Sequence, residues 1–146
     1  MYVYNRIADG RQRLESGAVA CCVFCGNGLA SIGWVALTEE AHRSLFQPGY
    51  KVNFEVGQAS TGGGWTDPWY RRKRLAVYNY CKRLEYIWSH GKTSVRTAVR
   101  TDNKASLKLH ANFSPIIKVR GRDLKILWHR SWTEIPVNQE ISRVLR

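Results

Sequence analysis

Residues 71–90 constrain the fold more than any other segment. Val77, Cys81, Leu84 and Trp88 recur at i, i+4, i+7 and i+11, the spacing that stacks side chains along one helical face. Gly91 follows as a C-terminal cap. A helix with one apolar stripe needs another layer to cover it, and the flanking segments read as strands. Upstream, residues 18–24 form an apolar run fit for a buried strand. Gly26-Asn27-Gly28 marks a tight turn, and residues 29–37 return as the second arm of a hairpin. Thr38 is placed to cap a short helix that Pro48-Gly49 breaks. Residues 51–59 alternate through Val52, Phe54 and Val56 as a strand, with the glycines at 62–64 loosening its end.

Downstream the spacing predicts a strand over 93–99, a break at Thr101-Asp102-Asn103 and a short helix over 103–112 that stacks Ala105, Leu109 and Phe113. Two more strands, 115–120 and 124–132, are joined by Gly121-Arg122-Asp123. Weak helical spacing runs over 4–16 through Tyr4, Ile7 and Leu14, and residues 137–146 read as a short helix or a frayed tail. Strands alternating with helices and closing on a hairpin define an α/β (α+β) chain with a mixed sheet of about six strands. At 146 residues, with 44% hydrophobic and 12% aromatic content, this is one domain, 1–146, with a single core.

No apolar run approaches the roughly 20 residues of a membrane span, and no basic-then-apolar leader opens the chain, so a soluble cytoplasmic protein is expected. Cys22-x-x-Cys25 has a metal-like spacing. A tetrahedral site needs a second ligand pair, however, and only Cys81 and four scattered histidines remain. In an apolar stretch the thiols of Cys21, Cys22 and Cys25 act as small hydrophobes, and no metal is expected.

The net charge of +12 is concentrated. Residues 70–130 hold sixteen Lys or Arg against Glu85, Asp102 and Asp123, whereas the rest of the chain is close to balanced. Such asymmetry points to a polyanionic partner: a phosphorylated cofactor, a nucleic acid or an acidic surface. The cations cluster most tightly at Arg71-Arg72-Lys73-Arg74, where a strand end at Trp65-Thr66 runs into the long helix. A helix N-terminus exposes unpaired N–H groups and the positive end of the dipole, so four cations there are unfavourable without an anion. A phosphate near 71–76 is the expectation. A second constellation is Asn103 and His110, seven residues or two helical turns apart, able to direct an amide and a titratable imidazole toward one ligand.

Together these blocks resemble the GNAT acetyltransferases. Pro68, Tyr70, Arg71 and Ala76 match the family's pyrophosphate loop, while Arg74 stands at its first defining glycine and Arg72 where many members have glycine. The strand–Asn103–helix–His110–Phe113 order matches the segment that holds the acyl thioester, with histidine in the usual tyrosine position. The resemblance covers residues 18–132 and implies a single GNAT-like domain with a mostly antiparallel sheet flanked by helices. Only 17 residues precede the hairpin, so the family's N-terminal elements are shortened or absent.

It further implies an N-acyltransferase that moves an acetyl or other acyl group from acyl-CoA, the co-substrate, to an amine on a small molecule or protein. Trp65, Thr66, Arg71, Arg72, Lys73, Arg74, Leu75, Ala76 and Asn103 would bind the cofactor. His110 would protonate the departing thiolate. Glu55, placed mid-strand, would accept the ammonium proton. A homodimer stays open, as does a non-catalytic basic module binding nucleic acid or another polyanion; a membrane partner is not expected.

Overall fold

The computed structural model describes residues 9–46, 49–115, 119–126 and 129–136. These form two compact units, one of residues 9–46 and 51–98, the other of 49–50 and 99–136. The first holds a four-stranded sheet in the order β1 (Val19–Cys25), β2 (Gly28–Ala36), β3 (Gln58–Thr66), β4 (Ser94–Arg96). The β1–β2 and β2–β3 junctions are antiparallel, and β3–β4 is parallel. Helices α1 (Gly10–Glu15), α2 (Glu39–Leu45) and α3 (Leu75–Ser89) accompany it.

Period-two alternation along β2 sends its side chains to two cores. Ile32, Trp34 and Ala36 pack with Ala18 and with Ala41 of α2, whereas Val35 joins Ala59 of β3 and Ile87 of α3. Fully burying a side chain such as Ile87 contributes about 2–3 kcal/mol, which anchors α3 to the sheet. As expected, Thr38 caps α2: its Oγ1 accepts from the Ala41 N–H at 3.3 Å.

Three expectations are corrected in this unit. The strand expected at 51–59 begins only at Gln58, because Asn53 Oδ1 accepts from the N–H groups of Glu55 (3.2 Å) and Val56 (3.4 Å) and folds the segment into a turn. The glycines at 62–64 therefore lie within β3. The stretch at 18–24 is the edge of the sheet, half-buried rather than buried. Helix α3 starts at Leu75, not 71, and its buried face runs through Asn79, Tyr80, Arg83 and Ile87, leaving Trp88 53% exposed.

The second unit contains α4 (Lys104–Ala111) and an antiparallel hairpin of β5 (Val119–Ile126) and β6 (His129–Pro136). Gly121-Arg122-Asp123 is not the connection but the middle of β5. Glycine is needed there because a Cβ would run into the Trp132 indole on the neighbouring strand. The six strands thus divide into a four-stranded and a two-stranded sheet. Tyr4 and Ile7 of the expected first helix, the Pro48 break and residues 137–146 lie outside the described residues. Among the described residues no helix is long and apolar enough to cross a membrane.

Candidate functional site: a bulged strand running into an uncapped helix

β3 carries an irregularity next to its open edge. Ile32 pairs with Trp65 and Trp34 with Gly62, so Gly63 and Gly64 together stand opposite Gly33. This is a bulge, and Gly63 has the left-handed φ of 59° that glycine adopts freely. On its other side β3 pairs with β4 only from Gln58 to Ser60, and the Thr97 hydroxyl adds one bond to the Thr61 carbonyl at 2.9 Å. Beyond it, residues 62–66 have no strand partner on that side among the described residues. Bulge and free edge leave backbone groups available to a ligand.

The strand end is fixed from beneath and from ahead. Ser31 Oγ donates to the Trp65 carbonyl at 3.1 Å and lies 3.2 Å from Thr66 Oγ1. Asp67 Oδ1 accepts from the Trp69 N–H at 2.9 Å and caps a 3-10 turn, Pro68–Tyr70. Arg71 then folds back, its Nε donating to the Thr66 carbonyl at 3.2 Å, and Lys73 lies 5.4 Å above the Tyr70 ring.

The next residues take the backbone of glycine without being glycine. Arg72 and Arg74 have φ of 61° and 60°, the left-handed region. In this conformation successive N–H groups line a concavity suited to anions. The first helical bond of α3 runs from the Tyr78 N–H to the Arg74 carbonyl at 3.0 Å, so the N–H groups of Leu75, Ala76 and Val77 precede the ladder. Arg74 makes no capping side-chain bond, and the first turn holds no acid. Orphan N–H groups, the positive end of a 15-residue helix and four cations converge on one place. The residues fit a pyrophosphate group.

Trp65 to Ala76 are one contiguous stretch of the first unit, running from the end of β3 into the start of α3. Asn103 and His110 lie on α4 of the second unit. Asn103 is its N-cap, Oδ1 accepting from the Ser106 N–H at 3.1 Å, a role that asparagine before a helix signals in sequence. Beside it, a hydrogen bond from Arg100 holds the Asp102 carboxyl below the usual carboxylate range. His110 is half-buried, and its Nδ1 lies 2.8 Å from the Ser106 carbonyl. A carbonyl only accepts, so Nδ1 carries a proton and Nε2 is the basic nitrogen. Glu55 is the exception: exposed in the turn that replaces the expected strand, it is not on the sheet.

Cys21 and Cys22 are held as thiols by their surroundings. Burial pushes the Cys21 thiol up, partly offset by the charge of Arg83, and it pushes Cys22 up as well. Among the described residues no cluster of three metal-ligating side chains occurs.

No protein-family model and no curated protein matches the sequence. Solved structures do match the fold. AAC(6')-Iy in complex with the bisubstrate analogue CoA-S-monomethyl-acetylneamine is 16% identical, over 80% of this chain and 78% of that one, with a TM-score of 0.56. The aminoglycoside 6'-N-acetyltransferase AAC(6')-IG of Acinetobacter haemolyticus is 11% identical over 86% and 78% of the two chains, at 0.55. YncA of Salmonella typhimurium, with its cofactor acetyl-CoA, is 11% identical over 92% and 73%, at 0.58. The fold is that of the GNAT acetyltransferases, a mixed α/β architecture with mostly antiparallel strands.

Proposed function

We propose that the chain acts as a single GNAT-like domain and is an N-acyltransferase, with acetyl-CoA or another acyl-CoA as co-substrate and an amine as acceptor. One observation carries this reading: the loop before α3 keeps the left-handed backbone at Arg72 and Arg74, where the family pattern has glycine, and opens onto unpaired N–H groups. Acyl-CoA would supply the activated thioester. The N–H groups of Leu75, Ala76 and Val77, with Arg71 to Arg74 around them, would hold its pyrophosphate. Backbone N–H groups on the free edge of β3 near Trp65 would stabilise negative charge on the acyl oxygen. Following the resemblance, Asn103 would contact the pantetheine arm, and His110, as the imidazolium with Nε2 also protonated, would deliver the Nε2 proton to the thiolate. Water would take the ammonium proton, since Glu55 sits in a turn.

One structural neighbour is an aminoglycoside 6'-N-acetyltransferase, so an aminoglycoside belongs in the first panel of amines. A second reading, a non-catalytic polyanion-binding module, is favoured by aromatic exposure on the basic segment: Trp69 is 86% exposed, Tyr78 and Trp88 53% each. Calorimetric titration with acetyl-CoA, beside a short oligonucleotide at low and high salt, separates the two. Saturable acetyl-CoA binding, followed by thiol release with one of a panel of primary amines, is expected. Absent acetyl-CoA binding together with salt-sensitive oligonucleotide binding would overturn the enzyme reading.

A further inference from the structure

Arg83 projects from the middle of α3 and is only 5% exposed. Arginine is almost never buried unless paired, yet among the described residues no carboxylate reaches it. Its Nη1 donates to Thr61 Oγ1 at 2.8 Å and lies 3.5 Å from the Gly62 carbonyl oxygen, and its guanidinium sits 4.8 Å from the Tyr80 ring centre. Thr61 Oγ1 in turn donates to the Trp34 carbonyl at 2.7 Å, linking α3 through β3 to β2.

The glycines around the bulge complete the seat. A Cβ on Gly33 would fall 2.6 Å from Arg83 Cζ and Nε, and one on Gly64 would lie 3.7 Å from Nη2. The guanidinium thus lies against the backbone at the point where two residues of β3 oppose one of β2. The arrangement costs stability. Arg83 Nε and Asn79 Oδ1 are buried without a hydrogen-bond partner among the described residues, and burial lowers the Arg83 pKa by disfavouring the charge. An apolar side chain of similar volume often fills such a seat at equal or lower cost. What the guanidinium supplies is a fixed geometry for residues 61–64.

We propose that Arg83 is a positioning residue for acyl transfer, holding the β3 bulge from beneath so that its backbone keeps the shape the reacting acyl group requires. The proposal rests on the acyltransferase reading. It touches no substrate, so it acts on the rate through the strand and leaves cofactor affinity to the α3 N-terminus.

The test compares wild type with Arg83→Met, Arg83→Lys and Thr61→Val. Acetyl-CoA affinity is read by calorimetry, and thiol release is followed with the active amine and in slow hydrolysis without one. Arg83→Met should lower kcat about 10–100-fold, the scale of a small misplacement of reacting groups. Its acetyl-CoA Kd should stay within about twofold, since the phosphate contacts are elsewhere. Arg83→Lys, which keeps the charge and can reach Thr61, should recover part of the rate. Thr61→Val, isosteric but without the acceptor, should show the same kcat-only loss, smaller in size, and it carries the test if Arg83→Met does not fold. An active wild type with equally active variants overturns the Arg83 proposal alone, as do kcat and Kd failing together in step with lost folding. A wild type that neither binds acetyl-CoA nor releases thiol overturns the acyltransferase reading and this proposal with it.

Discussion

Arg74→Gly should make the protein more stable. A non-glycine residue in the left-handed region costs roughly 1–2 kcal/mol, and Arg74 sits there at φ 60°. Glycine would remove that cost but lose more chain entropy on folding, roughly 0.5–1 kcal/mol. The net gain is about 0.5–1 kcal/mol, or a Tm higher by about 2–4 °C for a domain of this size. The control is three residues upstream. Arg71 has an extended backbone, φ −66° and ψ 161°, and its Nε holds the Thr66 carbonyl, so Arg71→Gly should lower the Tm. Thermal unfolding gives both signs in one experiment. Calorimetry with CoA should show unchanged or tighter binding to Arg74→Gly, because the backbone shape that receives the pyrophosphate is kept. A lower Tm for Arg74→Gly would refute the strain assigned to this loop. A tenfold or greater loss of CoA affinity, about 1.4 kcal/mol, would show that the Arg74 side chain is itself a phosphate ligand.

Other consequences are as direct. His110→Ala should reduce turnover in the thiol-release assay with little change in acetyl-CoA affinity; an unchanged rate would return the imidazole to a packing role. Asn103→Ala removes the cap of α4 and should cost about 1 kcal/mol of that helix's stability, read as faster amide exchange over 104–111. Gly33→Ala pushes a methyl into the Arg83 guanidinium and should destabilise by about 1–3 kcal/mol in denaturant unfolding, with the loss reduced in an Arg83→Met background. Because Arg71 to Arg74 are exposed, CoA affinity should fall as salt rises through the screening range, which titrations at several ionic strengths would measure.

What the sequence displayed was order and local chemistry. The turn at Gly26-Asn27-Gly28, the Thr38 cap, the breaks around α4 and the helix ending near Gly91 are written in residues whose backbone preferences are strong, and they appear where expected. The strand expected at 51–59 was masked by chemistry of the same local kind. Val52, Phe54 and Val56 alternate, but Asn53 accepts two N–H bonds and Gly57 takes φ 79°, and together they turn the chain. The face of α3 misled for another reason. Periodicity counts apolar side chains, whereas the seat beneath β2 and β3 is filled by Asn79, which donates to the Cys21 carbonyl at 2.7 Å, and by Arg83. Polar groups that succeed by tertiary pairing leave no periodic trace. At the site, the cations of 71–74 were visible, but the left-handed backbone beneath them was not, because arginine does not announce it.

The β5–β6 hairpin shows how little is needed to choose among near-equivalent alignments. Most of its described side chains face solvent and none is buried, so sliding one strand past the other would forfeit little burial. Trp132 fixes the alignment, since its indole lies where only a residue without Cβ can sit, over Gly121. A slip of one residue would turn the indole to the opposite face and set it against side chains instead of a gap. The pair works as a key and its ward: one ring and one missing methyl select a single alignment out of several.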